Sequence, residues 1–313
     1  MNARQLLTVG SVAFDAIETP FGKSDKIIGG AGTYISWAAS FFNRNQGLIS
    51  VVGEDFPMDE LELMQRNGVD ITGIQIPKGG KTFFWSGRYH NDMNSRDTLL
   101  TELNVLGEFK PVVPEKFKLA PFLMLGNLSP EVQRSVVEQM ATRPLLIAMD
   151  TMNFWMDIAL DALHKTIEIV DVMILNEEEA RQLTKEYSLW KAAKTIQSMG
   201  PKTVIIKKGE HGALLFHEHR IFSAPALPLE EVFDPTGAGD CFAGGFMGYI
   251  SSSNEITYEV MKNAVIAGSA VASFCVEKFG TQRLREIAPQ DIHQRMKEFY
   301  QLSQFEILDY GTN

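Results

Sequence analysis

The chain has 313 residues, 45% hydrophobic and 22% charged, with a formal net charge of −10. Such a balance suits a folded soluble protein. It argues against a nucleic-acid partner, which needs a basic stripe, while leaving room for a small anion held by backbone N–H groups and a metal.

Taken in chain order, residues 6–10 form a short apolar run ending in glycine and read as a buried strand. Gly29-Gly30-Ala31-Gly32 then opens a helical stretch over 33–42. Residues 47–53 read as a strand, and 59–67 as a helix stopped by Gly68. The pattern changes over 82–89 and 98–103, where aromatic and turn-flanked runs predict antiparallel strands. Strand-like runs return at 122–126, 145–150, 172–176 and 203–207, separated by helical stretches such as 130–141 and 177–184. A hairpin is expected around Ala213 to Phe216, and a helix from about Asp240 to Ile250. The most apolar run, 264–276, is shorter than the ~20 residues of a membrane span and reads as a buried helix, so no membrane association is expected. Cys241 and Cys275 lack zinc or C-x-x-C spacing and read as buried thiols. The start of the chain lacks a secretory pattern, and the expected location is the cytoplasm.

Near-continuous apolar strands alternating with helices predict an α/β fold with a mostly parallel central sheet covered on both faces. Ligands of such sheets bind beyond the C-terminal strand ends. Polar residues fall there: Asp15, Asn127, Asp150, Asn176 and Lys208.

The segment with the most chemistry is Asp234-Pro235-Thr236-Gly237-Ala238-Gly239-Asp240, ahead of an apolar helical run. Small residues let the chain turn tightly and aim N–H groups into one space. A helix N-terminus adds unpaired N–H groups and a positive dipole end, which suits a phosphoryl group spreading its charge over three oxygens. Within that anion hole, Asp240 has a use as the acceptor of a proton from an attacking hydroxyl. A glycine-rich turn capped by Asp240 is the plainer alternative.

This string resembles the second signature of the ribokinase, or PfkB, family of carbohydrate and nucleoside kinases. The resemblance extends over essentially the whole chain. It implies one ribokinase-like kinase domain over 1–313, with a small β-strand lid from about 13–28 and 74–105. It also implies ATP and Mg2+ as cofactors. Asp240 then takes the role of catalytic base, and the N–H groups of Gly237, Ala238 and Gly239 that of the anion hole. Asp234 and Thr236, with Gly280 further on, match positions that help hold a monovalent cation, commonly K+.

Gly29-Gly30-Ala31-Gly32-Thr33-Tyr34 resembles the family's first signature, with Tyr34 where asparagine is usual. Asp15 matches an aspartate that binds two substrate hydroxyls, since one carboxylate accepts from both. Ala13 and Tyr34 replace polar family residues, which argues against ribose itself. Asn176 and Glu179 match the N-x-x-E motif, in which Glu179 orients the water shell of Mg2+. Lys208, Gly209 and Gly212 match the nucleotide loop. Arg88, in the lid, is a candidate clamp on substrate, and Asn127 a candidate substrate contact.

The implied activity is phosphoryl transfer from ATP to a hydroxyl of a small sugar, polyol or nucleoside. The aromatic run Phe83-Phe84-Trp85 offers a stacking surface for a purine, or else lid core. Other readings are an NAD-binding oxidoreductase using Gly29 to Gly32, although those glycines follow the first strand by ~20 residues, and a ligand-binding protein without catalysis. A homodimer through the lid is a further expectation.

Overall fold

The computed structural model describes residues 4–93 and 95–306. The strands are β1 (Leu6–Val9), β2 (Ala13–Thr19), β3 (Gly22–Gly29), β4 (Gln46–Val51), β5 (Val69–Gln75), β6 (Phe84–Tyr89), β7 (Arg96–Glu102), β8 (Phe122–Leu125), β9 (Leu146–Asp150), β10 (Val172–Asn176), β11 (Thr203–Lys207), β12 (Ala213–His217) and β13 (Arg220–Ala224). The helices are α1 (Ala31–Ser40), α2 (Met58–Arg66), α3 (Pro130–Glu138), α4 (Asn153–Ile158), α5 (Leu160–Ile167), α6 (Glu177–Thr184), α7 (Leu189–Ser198), α8 (Ala238–Ser252), α9 (Tyr258–Cys275), α10 (Gln282–Glu286) and α11 (Pro289–Ser303).

Among the described residues, nine strands form one sheet in the order β13-β12-β11-β10-β9-β8-β1-β4-β5. It is parallel from β5 to β11 and antiparallel through β12 and β13. Alternation along the strands divides the core into two layers. Leu7, Val9, Leu123 and Leu125 face one way, toward the side chains of α3, α5, α6 and α7. Leu6, Phe122 and Met124 face the other way, toward α1, α8 and α9. The expected α/β architecture is therefore present, with helices on both faces.

A second sheet of four strands, β3-β2-β6-β7, lies apart from the first. β6 and β7 pair antiparallel, as the sequence suggested, and β2 pairs β6 in parallel. Its residues come from the segments expected to form a lid, but Asp15, expected at a C-terminal strand end of the main sheet, lies within β2 of this smaller one. β5 belongs to the main sheet, though it begins inside a stretch that gave no clear strand signal. Both cysteines are free and buried. No helix among the described residues is long and apolar enough to cross a membrane.

One helix contact sets the position of the candidate site. α8 is wedged between α1 and α9, and small residues bring the backbones together. A Cβ on Gly245 would lie 2.8 Å from the Gly268 Cα. Alanine is the better helix former by ~1 kcal/mol, but here the overpacking cost of about 1–3 kcal/mol prevails. Gly245→Ala is expected to lower the urea midpoint; an unchanged or raised midpoint would show that the helices have room to spare.

Candidate active site

Parallel strands bring their last residues to one edge of the sheet. Asp150 ends β9, Asn176 ends β10 and Lys207 ends β11, all on neighbouring strands. Lys207 Nζ lies 3.4 Å from Asp150 Oδ2, with both side chains largely enclosed. Burial works against the lysine's charge, yet Asp150, Glu179 and Asp240 hold its pKa above the ordinary value. Burial likewise pushes Asp150 up, and Lys207 restrains it.

Beside them, Asn176 and Glu179 close a capping box on α6. The Asn176 side chain accepts from the Glu179 N–H, and the Glu179 carboxylate accepts from the Asn176 N–H, each at 2.8 Å. The box turns the carboxylate inward, where burial and then Asp150 raise its pKa to about 7.

The loop before α8 is tied at both ends. Asp234, fully buried, accepts from the Thr236 N–H at 2.9 Å and from the Gly280 N–H at 3.0 Å. Gly237 is the N-cap of α8, at φ 76°. A side chain there would be strained and would also meet the Tyr34 ring at 2.5 Å. The Ala238 N–H donates to the Pro235 carbonyl at 3.2 Å, which removes it from the expected anion hole. The N–H groups of Gly237 and Gly239 have no acceptor among the described residues. Lys207 Nζ stands close over Gly239, 2.8 Å from where its Cβ would be. An anion at this helix start would thus meet free N–H groups and an ammonium together.

Asp240 sits in the first turn of α8, after its cap, and part of its surface stays open to the cleft. Burial and then Asp150 raise its pKa to about 7, against the opposing pull of Lys207 and Arg96.

Across the cleft stands Asp15, buried on β2. Burial, then Asp234 and Asp240, raise its pKa to about 7, and the Gly30 N–H partly offsets this. Gly29 has no room for a Cβ because the Asp15 carboxylate lies against it. From the smaller sheet, Tyr89 is buried and its hydroxyl meets that of Thr236 at 3.2 Å. Tyr34 is enclosed beneath Gly237, and its hydroxyl has no partner among the described residues.

The structure therefore gathers Asp15, Gly29, Gly30, Tyr34, Asn176, Glu179, Asp234, Thr236, Gly237, Gly239, Asp240 and Gly280 around one cleft. Other expected residues do not join them. Arg88 lies on the face of β6 opposite to Tyr89, is exposed there, and pairs with Glu18 at 2.9 Å. Side chains alternate along a strand, and position 88 falls on the wrong parity. Lys208 is displaced by Lys207 for the same reason; its N–H closes a turn on the Gly212 carbonyl at 2.7 Å. Gly209 lies in that turn. Asn127 is occupied by the Trp155 indole N–H at 2.9 Å and by Met152 Sδ at 3.1 Å.

Sequence reasoning placed Asp150 at a ligand-binding strand end without assigning it a role, and gave no role to Lys207, Tyr89 or Arg96. Strand parity could have favoured Lys207 over Lys208. Nothing local marked Arg96, whose importance depends on the pairing of β6 with β7. The dinucleotide reading also fails on context: Gly29 ends an antiparallel strand of the smaller sheet, so the glycines do not join a βαβ unit.

The chain is also similar to known proteins. The family model described as pfkB family carbohydrate kinase matches residues 4–288. A cytidine kinase of Thermococcus kodakarensis is 30% identical over 246 residues, covering 77% of this chain and 87% of the relative. A nucleoside kinase of Methanothermobacter thermautotrophicus is 26% identical over 297 residues, covering 89% and 91%. Among solved structures, a provisionally assigned ribokinase II of E. coli in complex with ATP and Mg2+ superposes with a TM-score of 0.78 at 21% identity, over 94% of this chain and 99% of the other. The fold is thus ribokinase-like.

The raised carboxylates have a consequence for stability. Asp15, Glu179 and Asp240 hold protons up to about pH 7 when folded, against ordinary values of 3.8, 4.5 and 3.8. Their contribution is fully present below the ordinary values and is lost as pH rises toward 7. Asp240→Asn removes one such group. Chemical denaturation is expected to find the variant more stable than the parent at about pH 8, with the gap shrinking toward about pH 5. A gap that is constant or reversed would mean that Asp240 is not under this strain.

Proposed function

The chain belongs to the pfkB family of carbohydrate kinases, and from that premise we propose that it moves the terminal phosphoryl group of ATP to a hydroxyl of a nucleoside, with Asp240 as the base. That it is a phosphotransferase acting on hydroxyl groups follows from the family. The acceptor and the residue roles are the proposal.

The observation that carries it is the position of Asp240. The carboxylate lies in the first turn of α8, partly open to the cleft, beside free N–H groups and with a pKa of about 7. A base of that strength is half ready near neutral pH and returns its proton easily. As the acceptor hydroxyl attacks, Asp240 takes its proton. The N–H groups of Gly237 and Gly239, with the Lys207 ammonium, meet the charge that spreads over the transferred group. Asp15 accepts from other hydroxyls of the acceptor and orients it, with Gly29 and Gly30 fixing the carboxylate.

ATP and Mg2+ are the cofactors of this reading. No three His, Cys, Asp or Glu side chains among the described residues gather closely enough to hold a metal by themselves. Buried Asp150 and Glu179 are hard oxygen donors suited to the water shell that Mg2+ retains, so the residues fit a hydrated ion. Bound Mg2+ would supply charge neutralisation on the donor phosphates. K+ is proposed beside Asp234, Thr236 and Gly280, where it would balance a buried carboxylate.

The choice of a nucleoside over a sugar is supported by the cytidine and nucleoside kinases, which the chain matches over most of their length. The smaller sheet is proposed to act as a lid on a single kinase domain. Its outer strand β7 is exposed along its length, with Leu99 and Leu100 about half exposed, which supports a lid-to-lid homodimer.

Asp240→Asn is expected to lower turnover by roughly 10²–10⁴-fold, with ATP affinity within a few-fold of the parent. The parent's rate should rise with pH through an apparent pKa near 7. Near-normal turnover in the variant would remove Asp240 from the chemistry.

A further inference from the structure

Of the aromatic run in the smaller sheet, the structure separates two fates. Phe84 packs with Phe14, Val52 and Phe56 in a hydrophobic cluster, so it is spent on the core. Trp85 has the opposite parity. It pairs in register with Asp15 on β2, and lies on the same face of its strand as Gly87 and Tyr89. That face looks onto the site, because the Tyr89 hydroxyl reaches Thr236 and Asp15 faces the cleft. The indole leans along the strand over Gly87, so close that a Cβ on Gly87 would strike the ring. The indole N–H donates to the Thr98 hydroxyl at 3.4 Å, which fixes the ring's rotation. Arg96, in register with Tyr89, brings its guanidinium to 6.0 Å from the ring centre. Trp85 is nevertheless only half-buried.

We propose that Trp85, laid flat across Gly87, is the platform on which the acceptor's nucleobase stacks. The inference rests on the nucleoside reading and specifies how that acceptor is chosen. Neighbouring strands lie roughly 4.8 Å apart, so the ring sits one strand away from Asp15. That is the order of distance between the hydroxyl edge of a ribose and its base. The backbone at Gly87 supports the indole from one side, the ring stays half-buried, and the Arg96 guanidinium stands 6.0 Å from its centre, so a base stacked on it would rest on a fixed π-face beside a cation. Gly87 is what allows the ring to lie down. The recognition is tolerant of base identity, since every base offers a π-face.

The test uses the full chain and a panel of cytidine, uridine, adenosine, inosine and free ribose, with ATP·Mg2+. Trp85→Leu is expected to raise the KM for nucleosides by roughly 10–100-fold, leaving the KM for ATP as in the parent. Trp85→Phe should recover most of the loss. Gly87→Ala, which lifts the ring without removing it, should raise the nucleoside KM in the same direction. In the parent, nucleoside binding should quench tryptophan fluorescence, and that quenching should vanish in Trp85→Phe. An unchanged nucleoside KM in Trp85→Leu and Gly87→Ala would overturn the platform and leave the nucleoside reading standing. Turnover of ribose alone, with no nucleoside accepted by the parent, would overturn both.

Discussion

The arrangement depends on enclosing five carboxylates around one cleft. Asp15, Asp150, Glu179 and Asp234 are buried, and Asp240 is recessed beside them. Ionised carboxylates resist leaving water unless paired or hydrogen-bonded. Only Asp150 has a direct ammonium partner, Lys207. Asp234 is held by N–H groups and Glu179 by a capping box. Asp240 and Asp15 are left with pKa values of about 7. The fold tolerates this because two well-packed hydrophobic layers fix the strand ends and α8 independently of the site. In the proposed reaction this strain has a use: it makes a carboxylate basic enough to accept a hydroxyl's proton.

The main sheet was legible because parallel strands buried on both faces leave continuous apolar runs, as at 122–126 and 203–207. The smaller sheet was harder. β3 is largely exposed and rich in charge, so it carries no hydrophobic period of its own. The segment Asp234 to Asp240 was readable because its features are local, with buried carboxylate, turn, helix cap and first-turn aspartate within seven residues. What the sequence withheld was parity and partnership. Lys207 and Lys208 are adjacent letters, and only the strand's alternation sends the first inward. Arg96 gains its place from cross-strand pairing with Tyr89, which no local pattern encodes. Ala238 looked like a third anion donor until its N–H was found closing a turn on Pro235.

The two sides of the cleft divide the work. The phosphoryl side is built from strand ends and a helix start, rigid elements with little freedom. The side proposed to receive the acceptor is built from the smaller sheet, where Asp15, Tyr89 and Trp85 share one face. Tyr34 is buried beneath the loop before α8. Its ring supports Gly237 from below, and its hydroxyl is enclosed without a partner. A change at that position would therefore act first on the shape of the loop before α8.

The proposed phosphoryl transfer from ATP to a nucleoside hydroxyl can be watched by phosphorus NMR of the protein with ATP, Mg2+ and a nucleoside. A new phosphate monoester on the nucleoside, growing in step with ADP, is expected. ADP accompanied only by inorganic phosphate, or an ester formed on free sugars and on no nucleoside, would contradict it.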